Sequence, residues 1–243
     1  MRIKTEGDLT YMLGPFFIGI VFIIIHLLAN SILPTERLKR IRWFSFSGGL
    51  AVSYVFVYIL PTLHTVQQDI DDPFAMESEI YFIGLLGVLM FFGSQLFVRQ
   101  KTEYTMSSFW LQISFYSVYN MMVAYVVLST EVTGIQAVFY SFAIGMHFIA
   151  VAHDMWREFS DLYNKVGRYI LALGIVAGWL IALFIDFVPL MQAFIIAFIS
   201  GAMILNVFKY ELPNDNESHF PTFAFGVVVY TLITMSLKFF FEW

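Results

Sequence analysis

Apolar residues run along this chain in stretches of about twenty, cut by short polar segments. Eight stretches are read: about 11–33, 44–65, 80–98, 108–129, 134–155, 166–186, 188–208 and 221–241. About twenty apolar residues in helical form cross roughly 30 Å of hydrocarbon. The pattern predicts an all-α polytopic membrane protein, one transmembrane domain over residues 1–243. Arg2 and Lys4 precede the first run as in a signal peptide, but the run is long and Glu6 and Asp8 intrude. An uncleaved first span is expected.

One stretch occurs twice. Phe46–Pro61 aligns without a gap on Phe198–Pro213, with identities at Phe46/Phe198, Gly49/Gly201, Val55/Val207, Phe56/Phe208, Tyr58/Tyr210, Leu60/Leu212 and Pro61/Pro213. In an apolar background several of these come cheaply. The Gly and Pro, twelve residues apart in both copies, are more informative. Each Gly is expected at a close helix crossing, where a missing side chain lets two backbones approach.

Composition agrees with the pattern. The chain is 59% hydrophobic and 13% charged, against about 25% charged in soluble domains. It has no cysteine, which excludes disulfides, thiolate metal sites and cysteine nucleophiles. The net charge of −5 says little, because the charges lie in loops. Arg37, Lys39, Arg40 and Arg42 follow span one; Arg99 and Lys101, span three; Arg157, Lys165 and Arg168, span five; Lys209, span seven. The loops after spans two, four and six carry Asp69, Asp71, Asp72, Glu77, Glu79, Glu131 and Asp186, and no base. By the positive-inside rule the 34–43 and 156–168 loops are cytoplasmic and both termini lie outside. The expected location is the plasma or inner membrane. Spans two and seven then run in opposite directions. The expected architecture is three spans, a central pair and three spans, with spans 1–3 and 6–8 an inverted repeat of the kind used by secondary transporters.

Polar residues inside spans are costly, so function is sought there first. Span four carries Gln112, Ser114, Tyr119 and Asn120. Span five carries His147, then His153 and Asp154 near its end. At about 1.5 Å per residue, antiparallel helices put Asn120 and His147 at similar depth. The expectation is that these two face each other, with Tyr58 and Asp154 bordering the same cavity. Asp154, seven residues after His147, shares its helix face two turns on. His26 and His64 read as residues near span ends, and His219 as part of a polar loop.

The topology and the repeated stretch resemble the ZIP family of zinc and iron transporters. Gly49-Leu50-Ala51 with Tyr58-Ile59-Leu60-Pro61 is similar to the family's G-x-F-L-A…H-L-L-P, and Gly201-Ala202-Met203 with Leu212-Pro213 to its second copy. Of the family's H-N-F-x-D-G in span four, Tyr119–Ala124 keeps Asn120. Of H-E-x-P-H-E in span five, His147–Ala152 keeps His147. The resemblance implies a transporter of divalent metal, zinc, iron or manganese, through a midplane pathway between central helices. The pathway residues are Tyr58, Tyr119, Asn120, His147, Asp154 and Asn206, with His147 and Asp154 as metal ligands. The metal enters as solute; no resident cofactor and no catalysis are expected. The expected partners are the lipid bilayer and a second copy of the chain, with no nucleic acid. A non-transporting sensor or partner subunit of the same build, using the Trp156–Lys165 stretch as contact surface, is the alternative. An intramembrane metal-dependent hydrolase using His147, His153 and Asp154 is the weaker one.

Overall fold

The computed structural model describes residues 6–32, 36–70, 78–99, 106–129, 134–212 and 218–241. All regular structure among them is helical. There are eight helices: α1 (Glu6–Ile32), α2 (Arg37–Gln68), α3 (Glu79–Arg99), α4 (Met106–Ser129), α5 (Gly134–Glu158), α6 (Ser160–Phe184), α7 (Pro189–Glu211) and α8 (Phe220–Phe241). Five of them, α2, α3, α4, α6 and α7, are long and apolar enough to cross a membrane. Shorter apolar stretches, Phe16–Leu28 and Phe220–Ser236, lie in α1 and α8. A helix satisfies its own backbone groups, which is what an apolar solvent demands.

The basic segments differ from the expected loops. Within 34–43 the chain is already helical from Arg37, where Lys39 Nζ lies 3.1 Å from Glu36 Oε1. Within 156–168, α5 runs to Glu158 and α6 starts at Ser160. The reason is visible at Tyr163, which is buried and gives its hydroxyl to the carbonyl of His26, 3.1 Å away. That bond ties the segment into a packed core. Pro213, Asp71, Asp72, Glu77, Lys101 and Glu131 lie outside the described residues, as do Arg2 and Lys4.

The chain divides into two compact units, Met1–Ser31 with Phe97–Phe187 and Ile32–Leu96 with Val188–Trp243. The first is built on α1, α4, α5 and α6. There α4 and α6 run parallel and pack over small residues. A side chain at Gly174 would strike the Ser117 carbonyl, and one at Gly178 the Met121 carbonyl. Gly19 of α1 lies under the indole of Trp179, which also stacks on Phe16 with centroids 4.7 Å apart.

The second unit is built on α2, α3, α7 and α8. Gly49 of α2 meets the backbone of α8 at the Phe223 carbonyl, and Gly226 of α8 meets α2 at the Phe46 carbonyl. Gly201 of α7 meets α3 at the Gly84 carbonyl, and Gly87 of α3 meets α7 at the Phe198 carbonyl. Both repeated glycines therefore stand at close crossings, as expected. Numbers rise together across each crossing: Phe46–Phe225 and Ser53–Thr231 in one, Gly84–Gly201 and Phe91–Tyr210 in the other. Each pair is parallel. Across α2 and α7 the order reverses: Phe56 packs on Phe208, while Val66–Ile70 lie near Pro189–Ile196. These two helices are antiparallel.

Both also switch to π-helical turns at aligned positions, Val55–Ile59 and Val207–Glu211; a third such turn is Tyr163–Gly167 in α6. Pro61 explains the first. It brings no N–H for the carbonyl of Val57, and its ring crowds that carbonyl; the wider turn relieves both within an unbroken helix. In α7 the residue before a proline avoids helical geometry. Leu212 accordingly turns extended, φ −66° and ψ 126°, and the helix stops.

Candidate functional site

The first unit holds a buried polar cluster drawn from three helices, with a fourth supplying a carbonyl. His26 of α1 and Asn120 of α4 are completely buried, and Tyr119 and His147 nearly so. Asn120 Nδ2 donates to His26 Nε2 at 2.9 Å and to the Leu171 carbonyl of α6 at 3.3 Å. One amide NH2 thus serves both, and His26 carries its proton on Nδ1. Tyr119 Oη and His147 Nε2 of α5 are 3.2 Å apart. The Phe148 ring packs near both imidazoles, 4.9 Å from His26 and 5.9 Å from His147 by centroids.

Two polar atoms here have no protein partner: His26 Nδ1, a donor, and Asn120 Oδ1, an acceptor. A buried polar atom left unmet costs about 1–3 kcal/mol. Both belong to the hydrogen-bonded pair of His26 and Asn120.

The expected pairing needs correction. The depth argument registers α4 against α5 properly, but Tyr119 rather than Asn120 meets His147. Asn120 turns to His26, which stands near the end of the apolar stretch Phe16–Leu28, as expected, and is fully buried there. Ile18, Phe22 and Ile25 are the buried stripe of α1, and His26 falls on it at helical spacing. That stripe was the available signal. The sequence alone could not say which face of α1 was buried, since apolar residues surround the helix.

The remaining expected residues make separate contacts. Asp154 accepts from Arg157 at 3.3 Å. Seven residues along a helix is about 10 Å from His147, so the carboxylate belongs to the end of α5. His153 stacks on Trp156. One turn beyond Asp154, Glu158 accepts from buried Gln112 at 3.2 Å. Among the described residues no three of His, Asp and Glu converge as a metal cage, and the hydrolase trio is not brought together. Tyr58 and Asn206 belong to the second unit. Tyr58 stacks on Tyr54, rings 5.1 Å apart. Asn206 donates to Glu211 at 2.7 Å, both buried; that bond spans the same five-residue step as the π turn it sits on.

The cluster is therefore two imidazoles, an amide, a phenol and one backbone carbonyl, and among the described residues no carboxylate is bonded to it in these contacts. Neutral imidazole nitrogen suits cations of intermediate softness. Without an anion to offset it, a divalent charge would be held weakly.

A comparison with known families corrects the reading of kinship. Residues 97–156 are similar to a family described as "Protein of unknown function (DUF3270)". This match spans α4 and α5, the helices that carried the supposed ZIP metal motifs, and no ZIP family matches. The resemblance rested on a shared topology, on Gly and Pro in two helices, and on two surviving polar residues. Each of these has a physical cause of its own in helix packing and termination. No curated protein matches the chain.

Proposed function

We propose that this chain is an integral membrane transporter of a small solute, with the His26–Asn120–Tyr119–His147 cluster as its solute-handling centre. The observation that carries the reading is the unmet donor and acceptor, His26 Nδ1 and Asn120 Oδ1, buried on the hydrogen-bonded pair that joins α1 to α4. Polar groups so placed are costly and mark ion or solute pathways. A solute must leave as well as enter, and a neutral, partly satisfied site binds without trapping. A divalent metal ion, as solute, would draw nitrogen from the two histidines and complete its shell with amide oxygen and water.

The reading includes eight spans, the odd-numbered loops cytoplasmic, and an inverted repeat. Support for the repeat comes from the antiparallel course of α2 and α7, the matched glycine crossings and the aligned π turns. Support for the orientation comes from the loops, where ten of the thirteen Lys and Arg follow odd-numbered spans. Two cysteines placed singly in the cysteine-free chain test it. An impermeant maleimide should label Gln68→Cys in intact cells and Leu38→Cys only after permeabilisation. The reverse pattern would invert the topology.

Calorimetry tests the metal form. Zinc, iron(II) or manganese should bind the purified protein at high micromolar to millimolar levels. His26→Ala and His147→Ala should each abolish binding, and His219→Ala should not. No heat for any of the three ions up to millimolar ends the metal form of the proposal.

A further inference from the structure

A second feature lies away from the polar cluster, in the second unit. The end of α2, the start of α3 and the start of α7 enclose a cavity of about 540 Å³. That size falls within the range of small-molecule sites. Its walls are apolar, Val66, Ile70, Leu190 and Phe194 among them, and two carboxylates line it, Asp69 and Glu79. Among the described residues that line it, none is basic.

The Glu79 side chain is held in place. Gln67 Nε2 donates to Glu79 Oε2 at 3.0 Å, while Gln67 Oε1 accepts from the backbone N–H of Ile80 at 2.9 Å. One side chain thus fixes both the start of α3 and the carboxylate. Next to it, His64 Nδ1 and Tyr81 Oη, 3.3 Å apart, join the same two helix ends. The cavity is built on braced elements, which a binding site requires.

We propose that this cavity binds an amphiphile with an apolar body and an ammonium head. The apolar body lies against Val66, Ile70, Leu190 and Phe194, and the ammonium group meets Asp69 and Glu79. Two carboxylates on a mostly apolar lining select a cation, and charge-assisted hydrogen bonds from –NH3⁺ are the strong kind. An anionic head would be repelled, and a neutral one would gain the apolar contact alone. The site opens where α2 ends and α7 begins, at the termini of two apolar helices. An amphiphile seated there keeps its head at the level of the helix ends.

Dodecylammonium and dodecanol, titrated against the full chain in phosphatidylcholine nanodiscs, test this. Binding specific to the cavity is the part lost in Ala193→Trp, which fills it. The proposal expects specific dodecylammonium binding at least tenfold tighter than that of dodecanol. Asp69→Asn with Glu79→Gln should remove that advantage and leave dodecanol unchanged. Far-ultraviolet circular dichroism and the elution volume confirm that each variant is folded. Phosphatidylethanolamine in the discs separates the sources: competition assigns the ammonium to a lipid headgroup, no competition to a soluble amine. Equal specific binding of the amine and the alcohol, or full amine affinity in the carboxamide variant, would overturn the proposal. So would no difference between Ala193→Trp and the unaltered chain.

Discussion

Gly201→Ala should strongly destabilise the second unit, while Gly93→Ala should leave it intact or slightly firmer. The methyl at Gly201 would be driven into the Gly84 carbonyl of α3. That obstacle is backbone, so no rotamer change clears it and the two helices must separate. Overpacking of this kind costs about 1–3 kcal/mol and more where nothing can yield; the upper end applies here. Around Gly93 nothing lies within 4 Å of the same methyl, and Ala exceeds Gly in helix propensity by roughly 1 kcal/mol. Thermal unfolding of both variants in one detergent reads the contrast. Gly49→Ala, which meets the Phe223 carbonyl, should follow Gly201→Ala. Equal midpoints for Gly201→Ala and Gly93→Ala would mean that these crossings are not close.

Asn120→Ala should carry the second large effect. It removes the NH2 that serves both His26 and the Leu171 carbonyl. Each buried group left unmet costs about 1–3 kcal/mol, so the first unit should lose several degrees in thermal midpoint. The bond itself is worth less, since interhelical hydrogen bonds in membranes average about 0.6 kcal/mol. A double-mutant cycle separates the two quantities. Asn120→Ala with His26→Leu should be less damaging than the sum of the single changes, because no imidazole then remains unmet. Strict additivity would show that the pair is not coupled.

Much of the fold was legible because each span repeats one simple signal, an apolar run between charges. The eight runs correspond to the eight helices of the described residues, with ends that agree to within seven residues. The ends were less legible where tertiary contacts extend a helix past its apolar part, as at Tyr163 with its bond to the His26 carbonyl. The glycine crossings were readable from the repeat, since a Gly at matched places in two long helices has few uses other than close approach. The π turns were not foreseen, although Pro61 within a continuing helix is their physical sign.

In the candidate site the polar residues of α4 and α5 were found and partly mispaired. Depth follows from counting residues along two helices. Rotation about the helix axis does not, when apolar side chains occupy every face. That is why Asn120 was set against His147, while its partner proved to be His26 on a helix far away in sequence. The kinship with ZIP transporters failed for a related reason. Motifs of a few letters, scattered over apolar helices, carry little information once most of their charged members are missing.

The central claim is that the buried polar cluster is reached by water and solute, and is not packing alone. Cysteine accessibility measures this directly, because the chain has no cysteine of its own. Asn120→Cys, Tyr119→Cys and His147→Cys would be reacted, in proteoliposomes, with a small cationic methanethiosulfonate reagent. Ala124→Cys, buried in α4 one turn beyond Asn120, is the control. The account predicts that the cluster positions react, that the control does not, and that added solute or metal slows the reaction. Folded variants whose cluster cysteines stay as inert as the one at 124 would contradict it.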